Sequence, residues 1–481
     1  MSCHDTLPTF PPRKAGWLLA AIAAIAAGLR VYQLGRLSFW YDEVVTMRLA
    51  RAGSPGALFK RLFEIDATRA PLHPMLLEIW TQAFGPSETA ARGFSVLCGI
   101  VTVLLIFGIA RAAFDTPTGL WAAWLAALSP PLIVYSREAR MYAWLVVVTG
   151  LSWWLLLALC RSFTPAKVVA YAVSLTALIY SHPLGLLMAG TLALAGLIGF
   201  GSWRRWLAVH LAVTAVTAPW VGNYLDHPPE FLSDPPSLRF LLGTPVGFIG
   251  GNSRVLLGLT GLIAWGIARQ VTVRDAQGRW HIVPGTWTAP VFLLLWLILP
   301  PSALYLYSRL VHPIFGPARY TVFVAPAYLI LVALGLSRIP ALGRYPLAMA
   351  LTILAASEFG SKVYDPELKA DWRGFSAALA ARRAGRPGEE PASTLVIVAS
   401  DNPGRNVEVE TARYYLPVRC EAIALEGATP DRLARIGASD VYLAVGSRRG
   451  VPAIPIPEQV GPYRFRAGRD YPGLMVYRAE D

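Results

Sequence analysis

The chain has 481 residues, of which 55% are hydrophobic and only 15% charged, and its mean hydropathy is +0.46. Soluble chains carry roughly a quarter charged residues, so this composition excludes an ordinary soluble protein and indicates an integral membrane protein. The net charge of +13 belongs to residues 1–360, which hold 26 Lys and Arg against 14 Asp and Glu, whereas residues 361–481 hold 17 against 16. The cations stand singly or in pairs in short loops, as the positive-inside rule requires, so a nucleic-acid partner is not expected.

Apolar runs predict about eleven transmembrane helices in residues 1–360. The runs cover residues 15–35, 91–111, 117–134, 141–160, 166–181, 183–200, 205–222, 238–268, 287–307, 319–337 and 343–359. Glycine and proline interrupt the run at 238–268, so its continuity stays open. With Arg13 and Lys14 in the cytoplasm, every second loop is basic, and an odd number of spans exports residues 361–481.

Two regions outside these runs also have secondary-structure patterns. In the first outer loop, residues 36–90, the segments 42–51, 55–63 and 74–84 have helical period and predict helices on the membrane surface. Residues 361–481 predict a small α/β domain. Its predicted elements are strands at 394–399, 421–425 and 440–445, helices at 407–415 and 430–436, and a hairpin at 463–477.

An acidic pair, Asp42 and Glu43, follows the first span between aromatic residues and the surface helices. Acidic residues are common at helix N-termini because the helix dipole favours them there. A partly desolvated carboxylate at this place would also have the raised proton affinity that suits a general base. Both interpretations stay open, and the context favours the second.

The segment from Ser136 to Tyr142 contains Arg137, Glu138 and Arg140 at the same predicted outer face. It could be an interfacial salt-bridge cluster. One acid between two arginines is also what a lipid-linked phosphate requires, because guanidinium groups bind phosphate oxygens and a carboxylate binds a hydroxyl or a metal. The sequence does not separate these two interpretations.

Further candidate residues lie at the outer ends of other spans. Arg69 and His73 stand in a proline-rich turn that offers a cation and a titratable donor, whereas His182 is an interface residue or a ligand. Arg319, followed by Tyr320, opposes the charge bias of its span end, so it needs an anionic partner such as an ordinary lipid phosphate or a lipid-linked donor. His73, His182 and His312 with Glu138 could together hold a divalent cation, although their spacing is no specific ligand motif and no cofactor is firmly predicted.

The combination of Asp42-Glu43, the proline-rich turn, the Tyr-Ser-Arg-Glu-Ala-Arg-Met-Tyr junction at 135–142 and Arg319-Tyr320 resembles a known group of enzymes. These are the dolichyl-phosphate-mannose protein mannosyltransferases and the aminoarabinose transferases of lipid A, which have the GT-C fold. The resemblance covers about residues 15–337. It implies that Asp42 is the base, that Glu43 is its neighbour in the donor site, and that Arg69 replaces a phosphate-binding lysine.

The resemblance implies inverting transfer of a sugar from a polyprenyl-phosphate carrier to an acceptor hydroxyl on the extracytoplasmic side of the cell membrane. We therefore expect Asp42, Glu43 and Glu138 in catalysis, and Arg69, Arg137, Arg140, Arg319 and Tyr320 at the donor phosphate. His73, His182 and His312 are expected at the acceptor or a metal. The acceptor could be a glycan, a lipid or a protein. The alternative is a protein that binds or transports polyprenyl-linked glycans without transferase chemistry.

Overall fold

The computed structural model describes residues 11–65, 70–199, 203–226, 235–251, 253–275, 280–283, 285–314, 318–365, 368–384, 393–399, 407–417, 420–448, 451–466 and 469–480. The chain divides into two compact units. The first unit contains residues 1–32, 49–85 and 90–363, and the second contains residues 33–48, 86–89 and 364–481. The sequence-based division into 1–360 and 361–481 left residues 33–48 and 86–89 in the membrane domain.

Helices make up nearly all of the first unit. They are α1 (Pro12–Val31), α3 (Pro55–Ile65), α4 (Leu72–Phe84), α5 (Glu88–Ala113), α6 (Thr116–Leu128), α7 (Pro130–Ser136), α8 (Tyr142–Arg161), α9 (Pro165–Ile179), α10 (Leu184–Gly199), α11 (Trp203–Asp226), α12 (Leu238–Gly247), α13 (Leu256–Val271), α14 (Thr288–Leu310), α15 (Ala325–Ser337) and α16 (Ala341–Ser357). The helix α2 (Tyr41–Leu49) comes between α1 and α3, and all but its last residue belongs to the second unit. A short antiparallel hairpin of β1 (Thr272–Arg274) and β2 (Trp280–Ile282) precedes α14.

Every apolar run predicted to span the membrane lies on helix, as do the three predicted surface segments. Within the described residues, four helices are long and apolar enough to cross a membrane: α1, α5, α8 and α14. The bent pair of α6 and α7 makes a fifth, and four shorter apolar segments lie at 165–179, 184–199, 256–271 and 322–337. The protein is therefore a helical membrane protein, and the count of about eleven spans stays a prediction.

Two predicted spans are interrupted. The run at 117–134 forms α6 and α7, which meet at an angle of 60°. Proline at positions 130 and 131 disfavours helical geometry in the preceding Ser129, so α6 ends there. The run at 238–268 forms α12, a short 3-10 turn and α13, which answers the question that the sequence left open.

The core of the first unit is organised around α15, in which all 13 residues are buried. Close backbone approach brings α13 against it, because a Cβ atom added to Gly266 would lie 2.5 Å from the backbone nitrogen of Gly335. A methyl group at that distance cannot be accommodated without a shift of backbone, so the glycines set this packing distance.

The second unit contains an α/β domain, in which the described residues form eight strands. The helices are α17 (Trp372–Ala384), α18 (Val407–Tyr415) and α19 (Pro430–Ile436), and the strands are β3 (Thr394–Ala399), β4 (Cys420–Ala424), β5 (Asp440–Arg448), β6 (Val451–Pro452), β7 (Gln459–Val460), β8 (Tyr463–Arg466), β9 (Asp470–Tyr471) and β10 (Leu474–Ala479). The predicted elements of this domain are confirmed to within a few residues. The main sheet has the order β4-β3-β5-β10-β8-β7, with β3 parallel to β4 and β5, and β10 antiparallel to β5.

Both faces of this sheet are covered. Val396 and Val398 of β3 point into a core that contains α17 and α18, whereas Leu395 and Ile397 point into a core that contains α19. The strand is buried at every position, as expected of a parallel strand between helical layers.

Candidate active site

The acidic pair lies at the start of α2, in the second unit. Consecutive helical residues point about 100° apart, and here Glu43 is completely buried while Asp42 is partly exposed. The carboxylate of Glu43 lies 2.8 Å from the Nζ atom of Lys369, which also lies over the ring of Trp40. Asp42 is therefore accessible to solvent, whereas Glu43 is held in a buried ion pair.

Lys369 is positioned by the turn between β9 and β10. The backbone N–H of Asp371 donates to the carbonyl of Pro472 (2.9 Å). Gly473 in this turn has a φ of +68°, and a Cβ atom there would lie 2.9 Å from the carbonyl oxygen of Lys369. A positive φ and a close backbone approach both require glycine, so the C-terminal hairpin fixes the cation that neutralises Glu43.

The segment before α2 is attached to the α/β domain by a chain of hydrogen bonds within the second unit. The hydroxyl of Ser38 donates to Asp371 (3.0 Å), and the backbone N–H of Phe39 donates to the hydroxyl of Tyr415 (2.6 Å). Tyr415 in turn donates to Glu88 (2.8 Å), which forms an ion pair with Arg373. The segment that precedes the acidic pair is thereby restrained by partners from residues 371–415.

A second group of predicted residues gathers in the first unit. His73 of α4 and His182, which lies between α9 and α10, are both buried, and Arg140 is only 5% exposed. Burial, together with the positive charge of Arg140, lowers the pKa of His73 to about 3. Burial and the charges of Arg140 and Arg319 lower the pKa of His182 to about 3 as well. Two arginines from distant parts of the sequence therefore act on one histidine.

Aromatic rings surround these cations. The guanidinium carbon of Arg140 lies 5.7 Å from the ring centre of Tyr142, and that of Arg319 lies 4.9 Å from the ring centre of Tyr320. Glu138, Arg319 and Tyr320 all act electrostatically on the phenol of Tyr135. The structure thus places Glu138, Arg140, Arg319 and Tyr320 in one region. These four residues, together with His73 and His182, are called the arginine cluster.

With a pKa of about 3, each of the two histidines is neutral at physiological pH. The burial of His73 beside a cation penalises the protonated form. The Nδ1 atom of His182 accepts a hydrogen bond from the backbone N–H of Leu184 (3.1 Å). Nε2 of the neutral ring therefore carries the proton and can donate it in a hydrogen bond.

Arg137, predicted at the donor phosphate, instead binds the C-terminal end of α1. It donates to the carbonyl of Arg30 (2.9 Å) in the last turn of that helix and to the carbonyl of Tyr32 (2.6 Å) directly after it. This arrangement favours a helix-capping role for Arg137. It leaves Arg140 and Arg319 as the arginines of the cluster.

Two predicted site residues give less information. Arg69 lies outside the described residues. His312 follows α14, and its backbone N–H donates to the carbonyl of Tyr307 (3.1 Å). In the part of the chain that the structure describes, no group of three or more His, Cys, Asp or Glu side chains could hold a metal ion.

Lys369 and Arg30 were not predicted. Lys369 stands 326 residues after its partner Glu43, and no local pattern connects the two. Arg30 is fully buried and donates to the carbonyls of Ala126 and Ala127 at the end of α6. The position of Arg30 inside an apolar run could have indicated its role, because charged residues within membrane helices usually have a buried partner.

Comparisons with known proteins agree with this architecture. Residues 68–220, which include His73, Arg140 and His182, match the family model described as Dolichyl-phosphate-mannose-protein mannosyltransferase. No curated protein sequence matches the chain at a significant level.

Solved structures share the fold over nearly the whole chain. ArnT from Cupriavidus metallidurans in the apo state has a TM-score of 0.62 at 15% identity, covering 97% of this chain and 98% of that one. The same protein bound to undecaprenyl phosphate has a TM-score of 0.59 at 14% identity, covering 96% and 98%. The oligosaccharyltransferase of Archaeoglobus fulgidus in the apo form has a TM-score of 0.53 at 13% identity, covering 91% and 70%. The chain therefore has the GT-C fold, and its residues 68–220 resemble a family of glycosyltransferases.

Proposed function

We propose that the protein transfers a sugar from a polyprenyl monophosphate to an acceptor hydroxyl on the extracytoplasmic side of the cell membrane, with Asp42 as the general base. The observation that carries this proposal is the arginine cluster. Arg140 and Arg319 combine two permanent charges with neutral histidines and tyrosines. Arg140 is buried and Arg319 is partly buried, and guanidinium groups that are poorly solvated by water bind a phosphate strongly.

The neutral state of the histidines suits this role. His182 offers an N–H donor that does not depend on pH in the physiological range. The cluster can therefore stabilise the charge that develops on the phosphate as it leaves, without taking up or losing a proton itself. ArnT of Cupriavidus metallidurans has been crystallised with undecaprenyl phosphate, which supports a polyprenyl phosphate as the donor carrier.

In the proposed reaction, Asp42 accepts the proton of the acceptor hydroxyl as the hydroxyl oxygen attacks the anomeric carbon. The bond between that carbon and the phosphate oxygen breaks, and the electron pair leaves with the polyprenyl phosphate. A single displacement inverts the anomeric configuration and needs no covalent enzyme intermediate. Glu43, buried against Lys369, orients the helical turn that carries Asp42.

The Asp42→Asn variant tests this proposal. We expect transfer from a panel of polyprenyl-phosphate sugars to fall by about 10²- to 10⁴-fold, the usual contribution of a general base, while donor binding is retained. Asp226→Asn serves as the matched control, because Asp226 is an exposed acid at the end of α11. Transfer by the Asp42→Asn variant at close to the wild-type rate would exclude Asp42 as the base.

Arg140→Gln tests the donor site separately. We expect weaker binding of the polyprenyl-phosphate sugar by about tenfold or more, since a charge-assisted hydrogen bond contributes roughly 1.5–3 kcal/mol. A protein that only binds or transports the lipid-linked glycan would lose binding in this variant, but it would show no transfer in the wild type. Transfer by the wild type therefore separates the two functions.

A further inference from the structure

A cavity in the α/β domain is not used by the proposed chemistry. It has a volume of about 80 Å³ and lies between α17 and the strands β5, β9 and β10. Its principal lining residues are Phe375, Arg382, Tyr442, Arg469, Tyr471 and Arg478, and we call it the tail pocket.

The polar side of the tail pocket is strongly basic. Three arginines line it, and one of them, Arg478, forms an ion pair with Asp440 (3.0 Å). The domain sequence as a whole is nearly neutral, with 17 Lys and Arg against 16 Asp and Glu in residues 361–481, so the charge is concentrated at the pocket.

Hydrogen bonds hold these groups in place. Arg382 donates to the hydroxyl of Tyr442 (3.1 Å), and Tyr442 donates to Asp440 (3.2 Å). Tyr442 and Arg478 are directly paired across β5 and β10, so both side chains lie on the same face of the sheet. Arg382 and Arg478 are thereby preorganised at one end of the pocket, as a specific anion site requires.

The other side of the tail pocket is aromatic. The ring of Phe375 lies 5.8 Å from that of Tyr471 and 5.7 Å from that of Tyr442. The guanidinium group of Arg469 lies over the ring of Tyr471, with 5.7 Å between the guanidinium carbon and the ring centre. A ligand that fits both sides has an apolar ring face beside an anionic group.

We propose that the tail pocket binds an anionic sugar, that is, a sugar carrying a phosphate or a carboxylate. The arginines recognise the anion through bidentate hydrogen bonds, and the aromatic rings pack against the apolar face of the sugar ring. A transferase must hold its acceptor as well as its donor, so the anionic sugar would be part of the acceptor. Only this identification of the ligand rests on the proposed function. Binding itself does not depend on transfer.

Titration calorimetry on the purified full-length protein tests the tail pocket with four probes: glucose 1-phosphate, glucuronate, glucose and inorganic phosphate. We expect the two anionic sugars to bind at least tenfold more tightly than either glucose or inorganic phosphate. Arg382→Gln and Arg469→Gln should each weaken binding of the anionic sugars by about tenfold, which corresponds to 1.4 kcal/mol. Arg435→Gln should leave binding unchanged, because Arg435 is exposed on α19, the helix that covers the opposite face of the sheet.

Three results would overturn this inference: no detectable binding of either anionic sugar, equal affinity for inorganic phosphate and glucose 1-phosphate, or unchanged binding in the Arg382→Gln Arg469→Gln double variant. If that double variant does not fold, Arg382→Lys replaces it and should still weaken binding, because lysine keeps the charge but loses the bidentate geometry. Glucose 1-phosphate should bind normally to Asp42→Asn. The failure of the proposed function and the failure of the tail pocket are therefore measured independently.

Discussion

At the residue scale, the buried ion pair of Glu43 and Lys369 makes the clearest prediction. The two side chains are 0% and 11% exposed. Lys369→Met removes the cation that pairs with this buried carboxylate, and the loss of one partner of such a pair costs about 3–5 kcal/mol. We expect a correspondingly lower melting temperature of the detergent-purified protein.

The control for this prediction is Lys362→Met. Lys362 pairs with Glu358 but is 63% exposed, and surface pairs contribute about 0–1 kcal/mol. Adding Glu43→Gln to Lys369→Met should recover much of the lost stability, because the buried charge is then removed. A double variant as unstable as Lys369→Met would contradict an ion-pair origin of the effect.

The buried His182 predicts how stability depends on pH. Its pKa is about 3 in the folded protein and 6.5 in the unfolded chain. Between these values the unfolded chain binds a proton that the folded protein does not, so stability is lost as the pH falls from 6.5 towards 3. The slope reaches about 1.4 kcal/mol per pH unit for each such group.

Melting temperatures of wild type and His182→Gln at pH 7.5, 6.0 and 5.0 measure this contribution. We expect the variant to lose less stability than the wild type over this interval, whatever their difference at pH 7.5. His281→Gln is the matched control, since His281 is an exposed residue of the β1–β2 hairpin. Parallel pH curves for wild type and His182→Gln would show that His182 is protonated in the folded state.

At the element scale, the break between α6 and α7 depends on Arg30. The bend exposes carbonyl groups at the end of α6, and Arg30 donates to those of Ala126 and Ala127 at 3.3 and 3.2 Å. Arg30→Met removes the donors of these two buried carbonyl groups, and a buried acceptor without a hydrogen bond lowers the free energy of unfolding by about 1–3 kcal/mol. Thermal unfolding should show this loss, whereas Arg13→Met, an exposed change at the start of the same helix, should not. Equal stability of the two variants would mean that Arg30 does not support the bend.

The elements were predictable from sequence where the information is local. The strand at 394–399 and the helices at 407–415 and 430–436 lie where the pattern of apolar and polar residues predicts them. The bend after Leu128 was not predicted within the run at 117–134, because hydropathy alone gives no information on the helix-breaking effect of two consecutive prolines. Arg140, Arg319 and the histidines were identified by their chemistry, but Lys369 was not, since only the folded turn after β9 brings it to Glu43.

At the scale of the whole molecule, the uneven charge predicts the orientation in the membrane. Residues 1–360 contain 26 Lys and Arg against 14 Asp and Glu, whereas residues 361–481 contain 17 against 16. Positively charged loops stay in the cytoplasm, so the loop between α8 and α9 should be cytoplasmic and the C-terminal α/β domain extracytoplasmic. The proposed transfer on the extracytoplasmic side requires this orientation.

Single-cysteine labelling in intact cells tests the orientation, after replacement of Cys3, Cys98, Cys160 and Cys420 by serine. A membrane-impermeant maleimide should label Arg464→Cys, an exposed position on β8, without permeabilisation. Ser162→Cys, an exposed position directly after α8, should be labelled only after the membrane is opened. The reverse pattern would place the α/β domain in the cytoplasm. Because Asp42 belongs to the same compact unit as that domain, it would also contradict transfer on the extracytoplasmic side.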